Sequence, residues 1–103
     1  MTQRALSRNG VTIRLPAERW VHIVEEHSEL AGFHEEVLDA IENADRVLFG
    51  NAGELLAVRE IEPGKALVVV YRETLDEDGF VITAFLTKRW NSLARRKQQW
   101  PPQ

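Results

Sequence analysis

Apolar positions along the chain begin as a short alternation, pass into helical spacing and return to period two for most of the second half. "VTIRL" (11–15) alternates and is β-branched, which predicts a short strand. Pro16 suits the first turn of a helix, and Glu18 is favourable near the positive end of its dipole. The segment "AERWVHIVEEH" then places Trp20, Ile23, Val24 and His27 at i, i+3, i+4 and i+7, one face of a helix. "LAGF" interrupts it at Gly32. A second helix, "HEEVLDAIENA", turns Val37, Leu38 and Ile41 inward and its acids outward.

After Asp45 the period changes to two. "RVLFG" reads as a short strand and "GNAG" as a turn. Longer strands follow at "ELLAVREI" (54–61), "ALVVVYRE" (66–73) and "FVITAFLTK" (80–88). "EPGK" joins the first two of these as a tight hairpin, and the polar loop "TLDEDG" joins the next two. Short links favour antiparallel neighbours. A basic helix, "NSLARRKQQ", is predicted next, with order ending at "WPPQ". The fold class expected is α+β: N-terminal helices packed on one face of an antiparallel meander of about four strands. One domain is expected over 1–103, with its core at about 11–89 and a basic segment at 90–103. The later strands are apolar on both faces, so the second face needs partial cover from the C-terminal segment or a partner.

Composition changes this picture little; charge changes it more. With 103 residues, 44% hydrophobic and 28% charged, the chain has the balance of a globular domain with a single core. It has no cysteine, which removes disulfides, thiolate metal sites and a cysteine nucleophile, and suits a reducing cytoplasm. "MTQRALSRNG" lacks the apolar stretch of a signal peptide, and nowhere do about 18 apolar residues run together to span a membrane. The formal net charge is −3. Between Glu18 and Asp45, however, stand nine acids and one base, Arg19, whereas 88–97 holds five bases and no acid. Arg4, Arg8 and Arg14 add to the basic side. One end of the molecule can therefore attract a polyanion that the whole would not.

The chemistry this chain can offer narrows by elimination. His22 and His27 are five apart, about 140° around a helix, so they cannot chelate one metal ion from that helix. No GxxxxGK or GxGxxG loop is present, and Ser7, Ser28 and Ser92 lie in no nucleophile elbow. Metal-free acid/base chemistry remains. Imidazole titrates near neutrality, so a histidine pair can take and return a proton while RNA's own 2′-hydroxyl attacks phosphorus. A cation or hydroxyl must then steady the charged phosphorane. Arg59 can supply the cation, Thr83 the hydroxyl, and Tyr71, Lys88 and Arg89 further contacts. Each also has a plain packing role. His27 can bond the last carbonyls of its helix, His22 and His34 can be solvated, and Thr83 can be only a β-former. Arg59, on a face with Leu55, Ala57 and Ile61, requires either an internal carboxylate or an external phosphate.

The blocks "RWVHIVEEHSEL", "VLDAIENADRVL", "AVRE", "LVVVYRE" and "GFVITAFLTK" occur in an order that resembles the small phage- and toxin-associated proteins of the barnase–EndoU–colicin–RelE-like nuclease superfamily. The resemblance spans about residues 11–89, with Ser28 standing where the family pattern has proline after the second histidine. It implies helices followed by a four-stranded antiparallel sheet of RelE or barnase type. It also implies metal-independent endoribonuclease activity without a cofactor, in a toxin–antitoxin or phage-conflict setting. His22, His27, Arg59 and Thr83 are then the expected catalytic residues. Tyr71, Lys88 and Arg89 are the expected RNA contacts. Two alternatives stay open: an RNA- or protein-binding module on the same fold, and a chain held by an antitoxin or by a second copy of itself.

Overall fold

The computed structural model describes residues 3–74 and 78–102. Its elements are β1 (Gln3–Leu6), β2 (Thr12–Leu15), α1 (Ala17–Glu26), a 3-10 turn (Ser28–Leu30), α2 (His34–Glu42), β3 (Arg46–Phe49), β4 (Leu55–Glu62), β5 (Lys65–Glu73), β6 (Asp78–Thr87), α3 (Trp90–Ala94) and β7 (Gln98–Trp100). All seven strands form one sheet in the order β1-β2-β6-β5-β4-β3-β7. Every pairing is antiparallel except β2 with β6, which is parallel. The expected four-stranded antiparallel meander is therefore corrected to a seven-stranded mixed sheet, and the fold is mostly sheet.

Three segments account for the difference. "QRAL", to which the sequence pattern assigns no element, pairs as β1 with β2 through Gln3↔Leu15 to Leu6↔Thr12. "VTIRL" joins the sheet in parallel with β6, which a chain of hairpins cannot produce. The expected basic helix over 91–99 stops at Ala94, and Gln98–Trp100 pairs with β3 instead. Of the expected loop 74–79, residues 75–77 lie outside the described residues, and Asp78 and Gly79 already belong to β6.

The local chemistry explains the elements that do form. Pro16 holds extended angles (φ −63°, ψ 148°) immediately before α1, and His27 leaves the helical region at φ −132°, ending it. In the β4–β5 hairpin, Glu62 pairs with Lys65 across Pro63 and Gly64, and Gly64 takes φ +80°, where an L side chain is strained. In β6 the register shifts between Val70↔Thr83 and Tyr71↔Val81, so Ile82 is an extra, bulged residue. The bulge lets Val81 and Ala84 share one face while Phe80, Thr83 and Phe85 share the other.

One face of the sheet meets α1, α2 and the 3-10 turn. Its core holds Ile13, Leu15, Ala57, Leu67, Val69, Tyr71, Val81 and Ala84, packed under Ile23, Leu30, Val37 and Ile41. The other face carries a smaller cluster, Leu48, Leu56, Val58, Ala66 and Val68, closed by Leu93 and Trp90 from α3 and its start. The ends of the sheet are tied by polar contacts from the turn after β1. Arg8 donates Nε and Nη2 to the Ala44 carbonyl (3.1 and 3.0 Å) and lies 4.4 Å over the Trp100 ring. Asn9 and Gln99 exchange amide hydrogen bonds at 3.1 and 3.0 Å.

Tyr71 is fully buried beneath the helices, and its hydroxyl has no hydrogen-bond partner. Burial, helped by Glu73, pushes the phenol well above its ordinary value, so it stays neutral. Tyr71→Phe removes an unpaired buried oxygen while keeping the ring. It is expected to leave stability unchanged or raise it by up to about 1 kcal/mol in urea denaturation.

Candidate functional site

The expected catalytic residues do not gather around one point. Arg59 lies on the helix-covered face of β4. It donates Nη1 to the Asn43 carbonyl at 2.6 Å, with Nε 3.4 Å from Asp39 and Nη1 3.7 Å from Asp45. Asn43 follows the last residue of α2, so Arg59 satisfies an end carbonyl and complements the negative end of the helix dipole. Asp45 completes the junction by accepting the Glu60 amide at 2.7 Å. The internal carboxylates, not an external phosphate, are this arginine's partners.

Thr83 sits on the opposite face, across from Val70. The sheet thus separates it from Arg59. His22 is exposed on α1, 3.6 Å from Glu25. His34 packs edge-on to Trp20 at 5.2 Å between centroids. His27 is one-third exposed, 3.9 Å from Glu29, with its ring 6.3 Å from that of Phe85. Of the three histidines, His27 is therefore the one beside a residue of the Thr83 face. Tyr71, expected to touch RNA, is corrected to a core residue, because its parity on β5 turns it under the helices. Lys88 and Arg89 are exposed between β6 and α3, where the Arg89 amide bonds Thr87 Oγ1 at 3.0 Å.

A different constellation occupies the face opposite the helices. Strand register places Arg4 opposite Arg14, Arg14 opposite Phe80, and Phe80 opposite Arg72. Paired residues point to the same side, so these four form one row across β1, β2, β6 and β5. At about 4.8 Å per strand the row is roughly 14 Å long. Arg4, Arg14 and Phe80 are exposed, Phe80 by 37%. Arg72 is half-buried and donates Nη2 to the Ala52 carbonyl at 2.9 Å. Thr12, Thr83, Val70 and Phe85 flank the row on the same face, and exposed Leu6 borders it.

Acids on this side include Asp78, Glu54 and Glu60, the last accepting the Gly64 amide at 3.0 Å. Asp78 holds Arg14 through Nε and Nη2 along one guanidinium edge (3.2 and 3.0 Å), an exposed pair that orients the arginine more than it stabilises the fold. Glu54 accepts the Ala52 amide at 2.7 Å, and that bond, with nearby Arg72 and Arg96, lowers its carboxyl below the ordinary glutamate value. A lowered folded-state value means that the contribution of Glu54 to the 50–54 turn is present at neutral pH and is lost on acidification through the carboxylate range. Arg46 adds a cation 5.8 Å above the Trp90 ring.

The acids that dominate the sequence instead lie on α1, α2 and their links, on the other side of the sheet. The row escaped sequence reading because its members lie on four strands, two of which were not assigned to the sheet or were paired wrongly. Its one visible trace was the cluster of N-terminal arginines. In comparisons with known proteins, no family model, no curated protein and no solved structure matches the chain.

Arg59→Ala tests the structural assignment of that residue. It frees a helix-end carbonyl and two carboxylates, so it is expected to cost roughly 1–2 kcal/mol in urea denaturation.

Proposed function

We propose that the chain is a binding module for single-stranded RNA, with the strand lying across the face opposite the helices. The observation that carries this is the Arg4–Arg14–Phe80–Arg72 row. Sequence-tolerant recognition of single strands combines a cationic track for phosphates with aromatic faces for bases. The row supplies both in one line. Nearby Phe85 and Thr83 offer a second aromatic and a hydroxyl on the same face, while Lys88 and Arg89 extend the positive charge beyond β6.

Binding without turnover fits the geometry better than the ribonuclease mechanism that the family resemblance implies. That mechanism needs Arg59 and Thr83 at one phosphate, and they are on opposite faces. It also needs two histidines, and only His27 lies by this face. A catalytic variant of the proposal would rest on His27 as the single imidazole.

Fluorescence anisotropy with a labelled RNA oligonucleotide, in chelator and over a salt series, tests both. Phe80→Ala is expected to weaken binding by roughly 1–3 kcal/mol, the worth of one stacked base. Arg4→Ala should weaken it and flatten the log–log salt slope by about one phosphate contact. Salt-independent binding, or binding indifferent to both variants, would refute the proposed surface. Gel analysis of the same samples should show intact RNA. Cleavage that disappears in His27→Ala would replace the binding module with an enzyme.

A further inference from the structure

The row on the open face leads toward a cleft that the sequence did not mark. Arg72, its last member, bonds the Ala52 carbonyl in the turn after β3. That turn forms one wall of a cleft of about 440 Å³ lined by Phe49, Asn51, Ser92, Arg95, Arg96 and Lys97, along with Gly50. The volume falls in the range of small-molecule sites, roughly 300–1,000 Å³.

Its walls are fixed. The Phe49 amide donates to the Lys97 carbonyl at 2.8 Å, which joins β3 to the segment before β7. Gly50 N–H donates to the Glu54 carbonyl at 2.8 Å, closing the turn. Gly53 has φ +90°, and a Cβ there would come within 2.9 Å of Arg72 Nη1, so the turn and the arginine are fitted to each other. Arg96 is held at the wall by Nη1, which donates to Phe49 O and Asn51 Oδ1, both at 3.3 Å.

The electrostatics are one-sided. Among the described residues, Arg95, Arg96 and Lys97 have no carboxylate within ion-pair distance, and Arg95 and Lys97 are exposed. Glu54 is the acid beside the cleft, and its charge is directed at the Ala52 amide. The Nε and Nη2 of Arg96 remain without an acceptor among the described residues, and the Ser92 hydroxyl and Asn51 amide add neutral donors. Phe49, opposite Leu55, has its side chain on the helix-covered side of the sheet, so it borders the cleft at the sheet edge.

We infer that this cleft binds the phosphate monoester at an end of the bound RNA strand. This rests on the proposed RNA-binding surface and adds end recognition to it. A phosphodiester inside a strand carries one negative charge. A terminal monoester carries about −1.5 to −2 near neutrality and presents three acceptor oxygens. Exposed Arg95 and Lys97, with the free Nε and Nη2 of Arg96, match the monoester better than an internal phosphate.

The test uses the intact chain and three versions of one RNA oligonucleotide: a 5′-phosphate, a 3′-phosphate, or hydroxyls at both ends. One phosphorylated form is expected to bind about ten-fold or more tightly than the hydroxyl form, and the form that does so identifies the end recognised. Arg95→Gln with Lys97→Gln, two exposed substitutions, should abolish the difference while the hydroxyl form still binds. Adenosine monophosphate should shift the amide signals of Asn51, Ser92 and Arg96 in the wild type, and adenosine should not. Equal affinity for all three oligonucleotides overturns the end-recognition proposal while leaving RNA binding intact. Absence of the adenosine monophosphate shifts overturns it as well. Nucleotide shifts without binding of any oligonucleotide would support the phosphate site and refute the RNA surface.

Discussion

The rest of the structure depends on the need to cover the central pair of strands on both sides. Leu55–Val58 of β4 and Ala66–Val69 of β5 are each four consecutive buried residues, alternating between the two faces. Fully burying each larger aliphatic side chain is worth roughly 1.5–3 kcal/mol, so neither face can be left to water. The helices α1 and α2 cover one side, where Ile23, Val37 and Ile41 are buried. On the other side, among the described residues, the cover is α3, five residues long, whose Leu93 and Trp90 close the cluster over Leu56, Val58 and Val68.

That shortness has a consequence for function. A five-residue helix spans about 7.5 Å, less than the width of three strands, so it cannot shield the face as far as β6, β2 and β1. The residues there are accordingly arginine, threonine and exposed phenylalanine. Most acidic residues of α1 and α2 lie on the outer surfaces of those helices, while Asp39 faces Arg59 and Glu42 accepts the Leu6 amide. The apolar demand of β4 and β5 and the unequal size of the two covers together divide the molecule into an acidic helical layer and a basic, partly aromatic sheet surface.

What the sequence revealed follows the range of the interactions involved. The α1 and α2 segments, β3 to β6 and the Pro63–Gly64 hairpin were legible because period, capping and turn chemistry are local. The same holds for the two-sided apolarity of β4 and β5. The parallel pairing of β2 with β6 joins Arg14 to Phe80, and no local signal encodes a partner so far along the chain. The addition of Gln3–Leu6 and Gln98–Trp100 to the sheet edges is equally non-local. Arg59 shows the limit most clearly: its apolar strand neighbours correctly demanded a partner, but whether that partner was a phosphate or Asp39 and Asp45 depended on where α2 ends over β4. The Ile82 bulge sets which of Val81, Thr83 and Ala84 face the helices, and alternation alone cannot place it.

A net charge of −3 would ordinarily argue against a polyanionic ligand. The two layers change that balance, because the molecule is 22 Å across even in its thinnest dimension. At physiological ionic strength exposed charges are screened over about 8 Å, so carboxylates on the outer helices act weakly at the opposite face. A phosphate arriving there responds mainly to Arg4, Arg14, Arg72 and the cations around α3. The acidic layer still opposes contact from its own side, so an anionic ligand would meet less repulsion at the sheet face than at the helical one. Segregation of charge, rather than its sum, therefore decides which ligand this surface can hold.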